Sequence, residues 1–202
     1  MNTNKPNIVV ILADDMGYKD VGYQGSEIQT PNLDRLAGEG VRLNQFYVMA
    51  ACTPTRASML TGRYPMRYGF QVGVIKPKDT YGLPTTERLL SQALKEAGYS
   101  TAITGKWHLG QHSEDQLPTQ KGFDHQYGCY NGMIDYWTHM FNHRIKGISA
   151  TGVTCVDDLE QEWEEPGNDW SRNDQPLNDE GYATDLITKE AVDVISNHNK
   201  AN

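Results

Sequence analysis

The chain of 202 residues carries 18 basic and 26 acidic side chains, a formal charge of −8, and four Trp with eleven Tyr for a core. That balance argues against nucleic acid as a partner, because phosphate binding needs a basic face. Three cysteines (Cys52, Cys129, Cys155) give neither a disulfide framework nor paired zinc-ligand spacing. No apolar run is long enough to span a membrane, and the N-terminus has no signal-peptide h-region. As written the chain reads as cytoplasmic, or periplasmic or secreted if a leader was removed.

In chain order, residues 7–13 (NIVVILA) form a continuous apolar, β-branched run that predicts a strand buried on both faces of a parallel sheet. It ends in Asp14-Asp15, two carboxylates at a strand end, where open α/β sheets place ligands. Adjacent acids repel, so a hard cation such as Ca²⁺ or Mg²⁺ is the expected neighbour, and an exposed turn is the alternative. Thr30 and Pro31 predict the N-cap and first position of a helix that Gly38 and Gly40 end. Residues 41–48 predict the next strand. It delivers the chain to Cys52-Thr53-Pro54-Thr55-Arg56, with Pro54 in the first turn of a helix and Cys52 at its positive end. Arg56, one turn on, can swing back beside Cys52. The alternative is a small buried cysteine before a helix.

Residues 86–97 (TERLLSQALKEA) predict an amphipathic helix and 99–104 a strand that ends in Gly105-Lys106-Trp107-His108-Leu109-Gly110. On an extended segment Lys106 and His108 point the same way, with Trp107 packed behind. The order β-α-β-α-α-β predicts an α/β sandwich with a largely parallel central sheet flanked by helices. Residues 127–141, rich in Tyr, Trp and Gly, suit a substrate-facing wall or a packed loop. His139 and His143 have helical metal-pair spacing but no third ligand, which favours structural roles. Residues 148–156 suit a hairpin strand. Eleven acids fall between Asp157 and Asp185 against Arg172 alone, so 157–181 reads as a solvated acidic loop and the remaining chain is slightly basic. Residues 182–197 predict a last amphipathic helix.

Three strand ends thus carry Asp14-Asp15, C-T-P-T-R from Cys52 to Arg56, and Gly105-Lys106-Trp107-His108. With Thr61-Gly62-Arg63 and T-P-N-L-D-R-L-A in the same order, the sequence resembles the type I sulfatases of the alkaline phosphatase superfamily. The resemblance implies an alkaline phosphatase-like fold and hydrolysis of sulfate esters. It also implies conversion of Cys52 to Cα-formylglycine by a maturation enzyme that reads C-x-P-x-R. One hydroxyl of the hydrated aldehyde would attack sulfur, and the other would then expel sulfate. Asp14 and Asp15, with the residue made from Cys52, would bind Ca²⁺ (or Mg²⁺). Arg56 would stabilise the hydrated aldehyde, Lys106 would pair with sulfate, and His108 would hold or deprotonate the nucleophile.

Family members are much longer. Residues 1–202 therefore read as the N-terminal part of a sulfatase catalytic domain, lacking a later His, Lys and metal ligands and incomplete at the C-terminus. The same nucleophile serves phosphonate monoester and phosphodiester hydrolases, and a non-catalytic fragment is a further reading, as is a cysteine hydrolase using Cys52 with His108. Aromatic residues such as Tyr136 and Trp137 favour a sulfated carbohydrate or aryl substrate, with no nucleic acid or membrane involved.

Overall fold

The computed structural model describes residues 5–71, 73–141 and 167–198. They fall into two units, Met1–Val48 and Met49–Asn202. In the first unit, helix α1 (Pro31–Glu39) starts with proline at its first position, where a missing N–H costs nothing, and Gly40 caps its end. Thr30 is the N-cap residue, yet its hydroxyl serves elsewhere. It accepts the Gly22 N–H (2.8 Å) and donates to Asp34 Oδ1 (2.9 Å), which also accepts the Tyr23 N–H (3.0 Å). These bonds tie the 3₁₀ turn Gly22–Gln24 to α1.

The second unit is built on a four-stranded sheet of β1 (Ala102–Thr104), β2 (His125–Gly128), β3 (Ser171–Arg172) and β4 (Gln175–Pro176), in that spatial order. β1 and β2 are parallel, with Thr104 opposite Tyr127, and the other two pairs are antiparallel. Asn173 and Asp174, both at positive φ, make the tight turn between β3 and β4, as residues tolerant of that region do. Helices α2 (Cys52–Thr61), α3 (Leu90–Glu96) and α4 (Ala183–Asn197) complete the unit. One apolar cluster gathers Ala57, Leu60, Phe70, Ile75, Leu83, Leu89, Trp107 and Leu109. Another gathers Tyr127, Cys129, Trp170 and Ala183, with Leu186 and Ile187 of α4 packed against it. Glu190 of α4 pins the helix to the sheet, pairing with His125 of β2 (2.9 Å) and Arg172 of β3 (2.7 Å). Among the described residues no helix is long and apolar enough to cross a membrane.

Several expectations need correction. Residues 7–13 and 41–48 belong to no strand, and Ile11 and Val41 are 79% and 88% exposed. A strand exists only through its ladder, and among the described residues no partner strand pairs with either run. The described sheet is therefore mixed, with one parallel pair. Helix α3 begins at Leu90 rather than Thr86 because Glu87 is taken by Arg63 (2.7 Å) and Gln92 caps the Leu89 N–H (2.9 Å). The strand expected over 99–104 shortens to Ala102–Thr104. Tyr127 lies in the core at 2% exposure instead of on a substrate wall. The acidic segment is described from residue 167, where it is part of the sheet and buries Trp170 and Asp169. Residues 148–156 and 157–166, with His143 and Cys155, lie outside the described residues.

Candidate active site

Cys52 opens α2 as its first helical residue, half-buried, with the extended Ala51 as N-cap. The first helical N–H groups have no acceptor within the helix, so negative charge is favoured beside Cys52. Pro54 in the first turn sacrifices no helical bond. Gly62 ends the helix at φ 66°, a left-handed conformation that glycine adopts without a Cβ penalty. The neighbouring Thr61 hydroxyl donates to Ala57 O (2.7 Å), and Arg63 reaches Glu87, so Thr61-Gly62-Arg63 acts as a helix stop anchored by an ion pair.

Two residues of α2 hold the Lys106–His108 segment. Thr53 donates its hydroxyl to His108 O (2.9 Å), and Arg56 donates Nη1 to Lys106 O. The segment prolongs the β1–β2 register, with Gly105, Trp107 and His108 N–H groups bound to the carbonyls of Tyr127, Cys129 and Tyr130 (2.7, 2.9 and 2.9 Å). Trp107 is buried as expected, its indole N–H shared by Gly110 O and Gln116 O. His108 departs from the expected extended form. Its φ is 59°, which turns the chain and sends the imidazole into the interior.

That imidazole is fixed on two sides. Nε2 lies 2.8 Å from Ile75 O. A carbonyl only accepts, so Nε2 carries a proton and donates it to Ile75 O. Thr53 closes the circuit by accepting the Ile75 N–H (3.1 Å). On the other side stands Gly132, where an added Cβ would lie 2.5 Å from His108 Cε1. Ile75 and Gly132 were not legible as site residues, because one contributes only backbone and the other only the absence of a side chain.

The charges gather around Cys129, whose thiol burial pushes up to about 12. The Asp169 carboxylate reinforces that shift, while Lys106 and Arg56 oppose it. Asp169, buried behind Tyr130 and Asn131, accepts both their backbone N–H groups (3.0 and 2.7 Å), yet burial still raises it to about 6. His139 is structural: Nε2 donates to Gly181 O (3.1 Å) and the ring stacks on Trp170 (4.5 Å).

Thr53 and Arg56 thus bond the start of α2, which Cys52 opens, to the backbone of Lys106 and His108, all in the second unit. Asp14 and Asp15 lie in the first unit, both exposed. Their oxygens suit a hard cation in kind, but such ions take six to eight ligands. Among the described residues no group of three or more His, Cys, Asp or Glu side chains could hold a metal ion.

The Sulfatase family model matches residues 6–202. Arylsulfatase J of Mus musculus is 41% identical over 197 residues, covering 97% of this chain and 30% of that protein. The crystal structure of Ps i-CgsB in complex with k-i-k-neocarrahexaose superposes at a TM-score of 0.77 with 34% identity, over 95% of this chain and 41% of that one. The structure of BT4656 in complex with its substrate D-glucosamine-2-N,6-O-disulfate superposes at 0.65 with 28% identity, over 97% of this chain and 32% of that one. The chain therefore spans under half the length of these relatives, with the alkaline phosphatase-like fold of sulfatases in its described part, and it belongs to the Sulfatase family.

Proposed function

We propose that the chain carries the nucleophile-bearing part of a sulfuric ester hydrolase that acts on sulfated carbohydrate or aryl esters, with Cys52 matured to Cα-formylglycine. The observation that carries this reading is the pair of bonds from Thr53 and Arg56 to the carbonyls of His108 and Lys106. They make the segment that begins at Cys52 and the Lys-Trp-His segment one mechanical unit. When formed, the formylglycine supplies a hydrated aldehyde as nucleophile, with a second hydroxyl to release the product.

The chain's own residues account for the rest. Lys106 and Arg56 offer positive charge to a sulfate oxygen, and the positive end of the α2 dipole adds to it. His108, its ring oriented by the Nε2–H bond to Ile75 O, would hold or deprotonate the hydrated aldehyde. Asp14 and Asp15 would contribute carboxylate ligands to Ca²⁺ (or Mg²⁺) together with the residue made from Cys52, and such an ion takes more ligands than these three. A maturation enzyme that recognises C-x-P-x-R is the implied protein partner.

The test is peptide mass spectrometry of the segment containing Cys52 after co-expression with a formylglycine-generating enzyme. Replacing CH₂SH by CHO removes about 18 Da. That loss at Cys52 is the expected result, and an intact thiol despite a competent maturation system would overturn the reading.

A further inference from the structure

Beyond the reacting centre, three of the exposed aromatic rings of the second unit lie together. Trp137 is 68% exposed, Tyr136 49% and Tyr182 37%. They are not scattered. Tyr136 stacks on Tyr182 with centroids 5.3 Å apart, and Trp137 packs on the same Tyr182 ring at 5.2 Å. Trp107 and Trp170, by contrast, are each 1% exposed.

The backbone beneath these rings is hydrogen-bonded at several points. Asp135 Oδ1 accepts the N–H groups of Trp137 (2.9 Å) and Thr138 (2.8 Å) and the Thr138 hydroxyl (3.1 Å). Tyr136 O accepts the Ala183 N–H (2.8 Å), which locks the turn to the start of α4. Buried His139 anchors its far end through Gly181 O. An exposed aromatic surface held this way loses little freedom when a ligand settles on it.

The chain itself limits how far this surface can lie from His108. Gly132 abuts the His108 imidazole, and from Gly132 to Tyr136 the backbone can extend at most about 14 Å. We propose that Tyr136, Trp137 and Tyr182 form a platform on which a pyranose ring neighbouring the sulfated sugar stacks its C–H face. The proposal rests on the sulfatase reading and adds a subsite to it. A sugar fits this surface better than a protein does. Three side chains make far less than the roughly 800 Å² per partner of a stable protein interface. Exposed Thr138, Thr184 and Asp185 near the rings in sequence offer hydroxyl and carboxylate groups suited to a sugar's hydroxyl edge.

The experiment is calorimetric titration of the chain with a sulfated galactan hexasaccharide, for wild type, Tyr136→Ala, Trp137→Ala and Trp137→Phe. Saturable binding by wild type, weakened about tenfold by each alanine variant and largely restored in Trp137→Phe, is expected, since one stacked ring is worth about that factor. Circular dichroism confirms that each variant remains folded. Absence of hexasaccharide binding by wild type, or equal affinities in wild type and the alanine variants, would overturn the platform. Maturation of Cys52 is read on the same preparations, so the two ideas fail separately. A mass loss at Cys52 without any platform effect sinks only the subsite, and ring-dependent binding without the mass loss sinks only the sulfatase reading.

Discussion

The Thr53 hydroxyl donates to the carbonyl of His108 at 2.9 Å and accepts the N–H of Ile75, whose carbonyl in turn receives His108 Nε2–H. Three segments remote in sequence are closed into one buried ring by two side chains, the Thr53 hydroxyl and the His108 imidazole. Thr53→Val keeps the shape and removes both bonds, leaving a buried carbonyl and a buried N–H unsatisfied. A loss of about 1–3 kcal/mol in denaturant unfolding is expected, with Thr53→Ser retaining most of the stability. A valine variant as stable as wild type would show that the ring carries no weight.

Gly132→Ala tests the other wall of the His108 pocket. The new methyl would meet the imidazole at 2.5 Å, so the ring or the loop must move. We expect about 1–3 kcal/mol of destabilisation and displacement of the His108 ring resonances in NMR spectra. Unchanged His108 resonances would mean that the loop gives way instead.

The Arg63–Glu87 pair is the stability test for the Thr61-Gly62-Arg63 corner. The Glu87 side chain is 8% exposed and that of Arg63 49%, so removing the arginine leaves a nearly buried carboxylate alone. The Arg63→Met, Glu87→Gln double variant should therefore cost less than the sum of the two single variants. A double-mutant cycle should return a coupling of about 1–3 kcal/mol.

Much of this arrangement was legible in the sequence, and the parts that were not share a physical cause. Pro31 and Gly40 bound α1, and the spacing of Leu186, Ile187, Val194 and Ile195 marks α4, because those signals are local. Cys52 at a helix start and the burial of Trp107 follow from neighbouring residues in the same way. The runs 7–13 and 41–48 have strand composition, but pairing is not local, and the described residues give them no ladder. Glu87 would continue a helix if Arg63 did not hold it. Thr53, Ile75 and Gly132 act through one hydroxyl, one carbonyl and one missing Cβ, none of which has a periodicity to read. Tyr182 joins Tyr136 and Trp137 only because the start of α4 is hydrogen-bonded to that turn.

Asp169 predicts a pH dependence of stability. Its folded-state value, raised to about 6 by burial from the ordinary 3.8, means that the folded chain holds this proton more tightly than the unfolded chain. Its contribution is therefore full below about pH 4 and is lost as pH rises through 6, by roughly 3 kcal/mol. Asp169→Asn should flatten that part of the stability profile, as measured by urea unfolding between pH 4 and 7. A wild-type profile already flat over this range would contradict the assignment.

The deeply buried Cys129 has a practical consequence. With its thiol held near 12, it stays protonated at neutral pH and shielded from alkylating reagents, while Cys52 sits half-open at a helix start. The polypeptide thus supplies its own internal standard. In a peptide map of the folded chain Cys129 stays an unaltered thiol against which oxidation, alkylation or conversion at Cys52 can be scored in the same spectrum, and its alkylation after unfolding shows that the protection came from the fold.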